Sequence, residues 1–220
     1  MTEPGYHTRP RREMIPFVPA GAGSVLDIGC GAGAFGAGLK TARWKSQAAL
    51  EVWGIEGEAA AAARAGEVLD RVITGLAPAA LAELDGRRFD CVVMNDVIEH
   101  VLEPEEMLRA VRPHLAAGGC LVASIPNIRH HATLADLVLR GRWEYVDEGI
   151  LDRTHVRFYT RTSMVELLER CGYRVTGTTG INRTGSRVFQ LFNVLTLGRF
   201  ADMGYLQFAC VAETRRESAP

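Results

Sequence analysis

The chain has 220 residues, of which 47% are hydrophobic, and this length suits a single α/β domain with a full core spanning residues 1–220. Its 25 basic and 26 acidic residues leave a net charge of -1 at pH 7. This balance predicts no global attraction to nucleic acid or to an anionic membrane.

The cysteines and the apolar runs predict a cytoplasmic protein. The 5 cysteines are odd in number and never spaced C-x-x-C, which predicts buried reduced thiols. No run approaches the ~18 apolar residues of a transmembrane helix, so no membrane partner is expected. The N-terminus also lacks the apolar core of a signal peptide.

Short apolar runs alternate with helical patterns along the chain. Strands are predicted at 24–28, 51–55, 71–74, 89–94, 119–125, 173–179 and 205–212. Helices are predicted at about 34–43, 58–68, 77–84, 104–115 and 161–171, with Pro104 near a helix start and Gly118-Gly119 after a helix end. The alternation predicts a doubly wound sheet of seven strands, mostly parallel. The last two strands have no convincing crossover helix between them, which fits an antiparallel C-terminal strand.

The most informative stretch is SVLDIGCGAGAFGAGLK, residues 24–40. A predicted strand is followed by a turn containing Gly29, Gly31 and Gly33 and then by a helix. Glycines allow close approach of the backbone to a ligand, and amides at a helix N-terminus favour polar or negative groups. The turn therefore predicts a nucleotide cradle. A G-x-G-x-x-G match ends at Gly36, with Glu56 roughly 20 residues on, so spacing alone leaves a dinucleotide site open.

The string LDIGCGAG resembles the first motif of class I S-adenosylmethionine (SAM)-dependent methyltransferases. Asp27 favours this family, because the dinucleotide fingerprint usually has an apolar residue at the equivalent position. The resemblance implies a Rossmann-like fold, SAM as cofactor and S-adenosylhomocysteine (SAH) as product. It also implies that Asp27 and the glycine backbone lie against the amino-acid part of SAM.

Other cofactor contacts are expected at the carboxyl ends of the strands. Glu56 is suited to accept hydrogen bonds from the ribose hydroxyls, and Leu76 replaces an acid that the family often uses at the adenine. Arg12, in an N-terminal arm of residues 1–20, is expected to pair with the cofactor carboxylate. The full set of predicted cofactor contacts is Tyr6, Arg12, Asp27, Gly29, Cys30, Gly31, Gly33, Glu56, Gly57, Leu76, Asn95 and Asp96.

A second motif follows the fourth strand. Asp96, Glu99 and His100 are spaced i, i+3, i+4, so one helical turn would direct them to the same side. Carboxylate and imidazole suit proton abstraction or metal binding. The pattern resembles the E-x-x-E-H of ubiquinone-type O-methyltransferases and of RNA 3′-end methyltransferases, in which a later histidine, here His155, completes a metal site. We predict that His100 and His155 are catalytic; metal ligands stay unassigned, and a divalent metal is not favoured.

Residues 126–160 form a long connection that we expect to cover the acceptor. Its candidate stacking and hydrogen-bonding residues are His130, His131, Trp143, Tyr145, His155, Phe158 and Tyr159, with simple packing as the alternative. The run GRWEYVDEGILDRTHVRFYT resembles a bacterial methyltransferase branch of cell-surface glycan and natural-product pathways.

The resemblance implies methyl transfer from SAM to a hydroxyl of a small sugar-like or phenolic acceptor. The alternatives are an N-methyltransferase, an RNA 3′-end 2′-O-methyltransferase, which the neutral charge disfavours, and a non-catalytic SAM-binding protein. The sequence does not specify the oligomeric state.

Overall fold

The computed structural model describes residues 10–44 and 49–215. Within these ranges, seven strands form one sheet in the order β3-β2-β1-β4-β5-β7-β6. The strands are β1 (Ser24–Ile28), β2 (Glu51–Glu56), β3 (Arg71–Thr74), β4 (Phe89–Asn95), β5 (Leu115–Pro126), β6 (Tyr173–Arg183) and β7 (Tyr205–Thr214). Strands β1 to β5 pair in parallel, whereas β7 is antiparallel to both β5 and β6. The predicted Rossmann-like sheet with its antiparallel C-terminal strand is confirmed.

Helices connect the strands and cover both faces of the sheet. They are α1 (Ala34–Trp44), α2 (Ala59–Ala65), α3 (Pro104–Val111), α4 (His131–Arg140), α5 (Arg161–Arg170) and α6 (Arg187–Leu195). Short 3-10 helices occupy Arg12–Phe17, Ala79–Leu84, Ile98–His100, Arg112–His114 and Ala201–Gly204. The layers follow from strand periodicity, since successive side chains point to opposite faces. Thus Leu26 belongs to one buried cluster and Val25 to the other.

Several predicted boundaries were wrong, one predicted helix has a different type, and two helices were missed. The helix predicted at 104–115 ends at Val111, and β5 begins at Leu115, so Gly118 and Gly119 lie inside the strand instead of after a helix. Gly119 is required there because a Cβ atom would lie 3.0 Å from the carbonyl oxygens of Phe89 and Asp90. The segment predicted at 77–84 is a 3-10 helix.

The missed helices are α4 and α6. Helix α6 lies between β6 and β7, where no crossover helix was expected, yet the two strands still pair antiparallel. Ser186 caps it by accepting a hydrogen bond from the Phe189 amide at 3.3 Å. Both helices expose many apolar side chains, so neither shows the usual alternation of an exposed polar and a buried apolar face.

All cysteines of the described ranges are buried free thiols, as their spacing predicts. Among residues 10–44 and 49–215, no helix is long and apolar enough to cross a membrane.

The packing of Gly33 generates a stability prediction. Gly33 has φ +79°, and a Cβ there would lie 2.7 Å from Val68 Cγ2 and 3.1 Å from Ala65 Cα. Gly86 has φ +72°, but a Cβ would meet no described atom within 4 Å. We expect Gly86→Ala to lower the free energy of unfolding by about 1–2 kcal/mol through backbone strain alone. Gly33→Ala should cost about 1–3 kcal/mol more, because it also overpacks the contact with α2.

Urea denaturation of both variants measures the difference directly. Equal losses for Gly33→Ala and Gly86→Ala would contradict the proposed role of Gly33 in packing α1 against α2.

Candidate active site

A cavity of about 900 Å³ opens at the carboxyl ends of β1, β2 and β4. Most of the predicted cofactor residues line it, as do both predicted catalytic histidines. The predicted residues in its wall are Asp27, Gly29, Cys30, Gly31, Glu56, Gly57, Leu76, Asn95, Asp96, His100 and His155. The parallel strands therefore bring residues from distant parts of the chain to one site.

Two of the described residues among the predicted cofactor contacts, Arg12 and Gly33, do not lie in this wall. Gly33 packs against α2 instead, as described above. Arg12 is exposed in the first 3-10 helix, and the neighbouring Arg11 lines the cavity in its place. Tyr6 lies outside the described residues. The role of Arg12 in cofactor binding stays a prediction.

The glycine turn is held in place by hydrogen bonds to β2. The amides of Gly29 and Cys30 donate to the Ile55 carbonyl at 2.8 and 3.2 Å. The amide of Gly31 donates to Glu56 Oε2 at 2.8 Å, and the Glu58 amide donates to Oε1 of the same carboxylate at 2.8 Å. Gly29 and Gly31 have φ of 73° and 55°, values that favour glycine. Glu56 therefore orders the turn as well as bordering the cavity.

Asp27 is buried beside Glu56, and its Oδ2 has no hydrogen-bond partner among the described residues. Burial, followed by the nearby charge of Glu56, raises the pKa of Asp27 to about 8. The carboxyl group thus retains a proton at neutral pH in the ligand-free protein. A cationic ligand group in the cavity would favour the charged form, so the site is suited to an ammonium.

Asp96 forms a network with Arg11 and strand β7. Arg11 pairs with the Asp96 carboxylate and donates to Gln207 Oε1 at 3.0 Å. Gln207 Nε2 in turn donates to Asp96 Oδ1 at 2.8 Å, and Ser124 Oγ donates to the same oxygen at 3.0 Å. Asp96 has φ 54°, which breaks the helical spacing that was predicted to align it with Glu99 and His100. Its carboxylate therefore holds Arg11 instead of a histidine.

Glu99, His100 and His155 form a cluster at the other end of the cavity. One ligand atom from each lies within 4.8 Å of the others. His155 Nε2 is 4.0 Å from Glu99 Oε1, and the two imidazole rings meet edge to face at 4.7 Å. The connection of residues 126–160, called the insert from here on, returns to this point because the Glu99 carbonyl accepts hydrogen bonds from the amides of Val156 and Arg157 at 2.9 and 3.1 Å.

Backbone carbonyls set the tautomers of both histidines. Nδ1 of His155 lies 3.0 Å from the Ile150 carbonyl, and Nδ1 of His100 lies 3.2 Å from the Thr154 carbonyl. A carbonyl can only accept, so each Nδ1 carries the proton and Nε2 holds the lone pair in the neutral ring. Burial, followed by His155, lowers the pKa of His100, which therefore stays neutral at pH 7.

Within this cluster, the buried carboxylate of Glu99 has the fewest polar contacts to offset its burial. Its side chain is 1% exposed, and neither carboxylate oxygen has a hydrogen-bond partner in the described part of the chain. Burial raises the pKa of Glu99 to about 8. An unpartnered carboxylate beside two imidazoles with Nε2 lone pairs fits a divalent transition metal, for which these residues are suitable ligands. Asp96 is not part of this set.

The aromatic residues of the insert pack mainly against one another. Trp143 and Tyr145 contact Phe158, with ring centroids 5.3 and 6.5 Å apart, and His131 stacks on Phe189. Of the candidate stacking residues only His155 lines the cavity among the described residues. The other described residues of the insert in the wall are Pro126, Glu148, Gly149, Ile150 and Asp152.

Sequence reasoning missed Arg11, Asp152 and Gln207 in the wall. Arg11 belongs to a basic cluster that resembles a solvated terminus, and Gln207 comes from an antiparallel strand with no motif. Asp152 accepts hydrogen bonds from the amide and hydroxyl of Thr154 at 2.8 and 2.6 Å. The D-x-T spacing of this turn is the one local signal that could have indicated Asp152.

Comparison with known proteins identifies the family. A family model described as "Methyltransferase domain" matches residues 7–177. The ubiquinone biosynthesis O-methyltransferase of Cereibacter sphaeroides is 32% identical over 89 residues, which are 40% of this chain and 35% of that protein. The match therefore spans about a third of the length of this curated relative.

Solved structures show the same fold. A SAM-dependent methyltransferase from Archaeoglobus fulgidus matches with a TM-score of 0.62 at 19% identity, over 91% of this chain and 90% of that chain. The plantazolicin methyltransferase BamL, solved with a triazolic desmethylPZN analog and SAH, matches with a TM-score of 0.59 at 16% identity, over 89% and 78% of the two chains. Together with the family model, these matches show that the chain belongs to the methyltransferase domain family and has the fold of SAM-dependent methyltransferases.

Proposed function

We propose that this methyltransferase acts on a hydroxyl oxygen of a small sugar-like or phenolic acceptor. The observation that carries the proposal is the Glu99, His100 and His155 cluster in the wall of the cofactor cavity. A hydroxyl must lose its proton as it is methylated, and imidazole nitrogens with lone pairs can accept that proton. The similarity to an O-methyltransferase over part of the chain supports the same chemistry.

The glycine turn, Asp27 and Glu56 form the cofactor half of the proposed site. Asp27 would pair with the cofactor ammonium, and Glu56 would accept hydrogen bonds from the ribose hydroxyls. Asn95 offers an amide whose Nδ2 and Oδ1 have no partners among the described residues, so it can bind the amino-acid arm. When bound, SAM supplies an electrophilic methyl group, which leaves its sulfur as the acceptor oxygen attacks.

The acceptor half contains the proposed base. His100 is half-buried and neutral, so its Nε2 can take the acceptor proton at pH 7. His155 is nearly buried and lies against Glu99, which suits it to contact and orient the acceptor. The insert residues 148–152 would exclude water above the reacting atoms, and positioning in such a cleft contributes up to ~7–11 kcal/mol.

A metal-assisted version of the same reaction uses the same residues. A divalent metal held by Glu99, His100 and His155 would act as a Lewis acid on the acceptor hydroxyl. Its specific support is the unpartnered carboxylate of Glu99. A screen of hydroxylated sugars and phenols with labelled SAM tests the proposed function, and methylation of amines alone would contradict it.

Gly31 tests the cofactor half of the site. Gly31→Val should abolish SAM binding by calorimetry, because the backbone has φ 55° and a branched side chain would obstruct the ligand. The matched control is Gly86→Val, which strains the backbone at a similar φ of 72° on the opposite edge of the sheet. Unchanged SAM affinity in Gly31→Val, or tight NAD binding by the native protein, would contradict the assignment.

The raised pKa of Asp27 predicts that this carboxyl group loses its proton when the cofactor binds. The ligand-free carboxyl has a pKa of about 8 and is protonated at pH 7, whereas a bound ammonium would favour the carboxylate. SAM binding at pH 7 should therefore release about one proton, and affinity should rise as the pH increases toward 8. Calorimetry in buffers of different ionisation enthalpy measures the release, and Asp27→Asn serves as the isosteric control. Proton release that persists in Asp27→Asn would rule out this carboxyl as its source.

The histidine cluster distinguishes base catalysis from metal assistance. If His100 is a plain base, His100→Ala should lower turnover by ~10² to 10⁴ without changing SAM affinity, and chelators should have no effect on the native enzyme. If a metal is bound, chelation should mimic the substitution, and a transition metal should restore activity. His155→Ala should also reduce turnover, because it removes an acceptor contact.

His114→Ala is the control, since His114 binds the Arg87 carbonyl at the opposite edge of the sheet. Full activity of both His100→Ala and His155→Ala on the true acceptor would reject both mechanisms.

A further inference from the structure

Helix α6 carries an apolar face that points to solvent. Val188, Leu191, Phe192 and Leu195 follow the i, i+3, i+4, i+7 spacing of one helix face, and they are 82%, 61%, 43% and 73% exposed. Of the described side chains in this helix, only Phe189 is buried. A surface helix normally buries its apolar face, so this one is organised to bind something outside the fold. We call Val188, Leu191, Phe192 and Leu195 the α6 face.

Helix α4 adds exposed apolar surface next to α6. Its first residue, His131, stacks on Phe189 with ring centroids 4.6 Å apart and contacts the Thr184 hydroxyl at 2.9 Å. The last turn of α4 exposes Leu137, Val138 and Leu139. Neither helix is covered by another described element on these sides.

A basic pocket adjoins the C-terminal end of α6. It has a volume of about 290 Å³, and Arg129, Arg161 and Arg199 line it together with Thr160 and Thr162. Arg129 pairs with Asp202 at 3.3 Å, whereas no described carboxylate pairs with Arg161 or Arg199. The pocket is tied to the α6 face because Phe200 stacks on Phe192 at 5.4 Å.

We propose that the α6 face and the basic pocket dock on the surface of an anionic membrane. The apolar side chains would enter the boundary between headgroups and acyl chains, while the arginines would bind lipid phosphate groups. The net charge of -1 averages over the whole chain and does not describe this surface, where arginines flank the apolar residues. The proposal is independent of the acceptor and of the histidine mechanism.

The arginines favour a membrane over a second copy of the chain. A two-fold interface uses the same patch on both copies, so two arginine-rich surfaces, each with the basic pocket and the exposed Arg187, would be brought together. Like charges brought together in this way oppose association, whereas lipid phosphates complement them. Docking here would also bring the active-site cavity close to the bilayer, because Asn182, in its wall, precedes α6 by only a few residues.

Co-sedimentation with vesicles tests the proposal. The full chain should bind vesicles that mix phosphatidylglycerol with phosphatidylcholine, and it should bind pure phosphatidylcholine vesicles at least ten-fold more weakly. Leu191→Ser combined with Leu195→Ser should reduce binding at least ten-fold. Arg161→Gln combined with Arg199→Gln should reduce it roughly 25-fold on the anionic vesicles, at about five-fold per arginine.

The matched control is Arg64→Gln combined with Arg88→Gln, which removes two exposed arginines elsewhere on the described surface and should leave vesicle binding unchanged. Circular dichroism and SAM affinity show that each variant is folded. Equal binding to neutral and anionic vesicles, or loss of binding in the control, would overturn the proposal.

Free phosphate or a second copy of the chain at this surface would give different experimental results from a membrane. If inorganic phosphate raises the melting temperature through Arg161 and Arg199 while vesicles are not bound, the pocket is a free-phosphate site and the membrane proposal fails. If the native chain sediments as a dimer that the Leu191 and Leu195 substitutions dissociate, without vesicle binding, the α6 face is a subunit interface and the proposal also fails.

Discussion

The parallel pairing of β1 with β2 and β4 is the constraint on which the site depends. Asp27 is in register with Gly54 of β2 and with Val93 of β4, so the three strands end at the same edge of the sheet. Gly54 must lack a side chain, since a Cβ there would lie 2.5 Å from Cys30 Sγ. The glycine turn can therefore fold back over β2 and bond to its final residues. The candidate cofactor and acceptor residues lie at this edge because the carboxyl ends of the parallel strands meet there.

The site is electrostatically unfavourable when it holds no ligand. Asp27 and Glu99 are buried, each has a carboxyl oxygen without a hydrogen-bond partner among residues 10–44 and 49–215, and burial raises both pKa values to about 8. Acids with raised pKa values favour the folded state at low pH, and this contribution is lost as the pH rises from their unfolded values toward 8. Burial of such groups costs stability unless a ligand compensates them. Buried acid groups with raised pKa values are typical of binding sites, where charged ligand groups can pair with them.

The insert contributes residues both to the wall of the cavity and to the outer surface of the protein. Its C-terminal part returns His155 to Glu99 through backbone hydrogen bonds, while its N-terminal part forms α4 against α6. One connection thus supplies a wall of the cavity and part of the exposed apolar surface. The same segment that would shape acceptor specificity would, on the proposed docking, lie near the bilayer.

The sequence by itself determined the sheet, the glycine turn and the order of residues at the strand ends, because strand and turn signals are local and parallel topology brings the carboxyl ends together. It also indicated His100 and His155 as catalytic candidates, and both line the cavity. Only the tertiary structure decided that Arg11 rather than Arg12 reaches the cavity, that Asp96 pairs with that arginine, and that Gly33 serves packing. These outcomes depend on contacts between residues far apart in the chain, and on backbone angles such as φ 54° at Asp96, which local periodicity cannot reveal. Helix α6 was missed although Val188, Leu191, Phe192 and Leu195 follow the spacing of a helix face; only the tertiary structure decided that this face lies toward solvent and not in the core, because burial depends on what the rest of the chain packs against it.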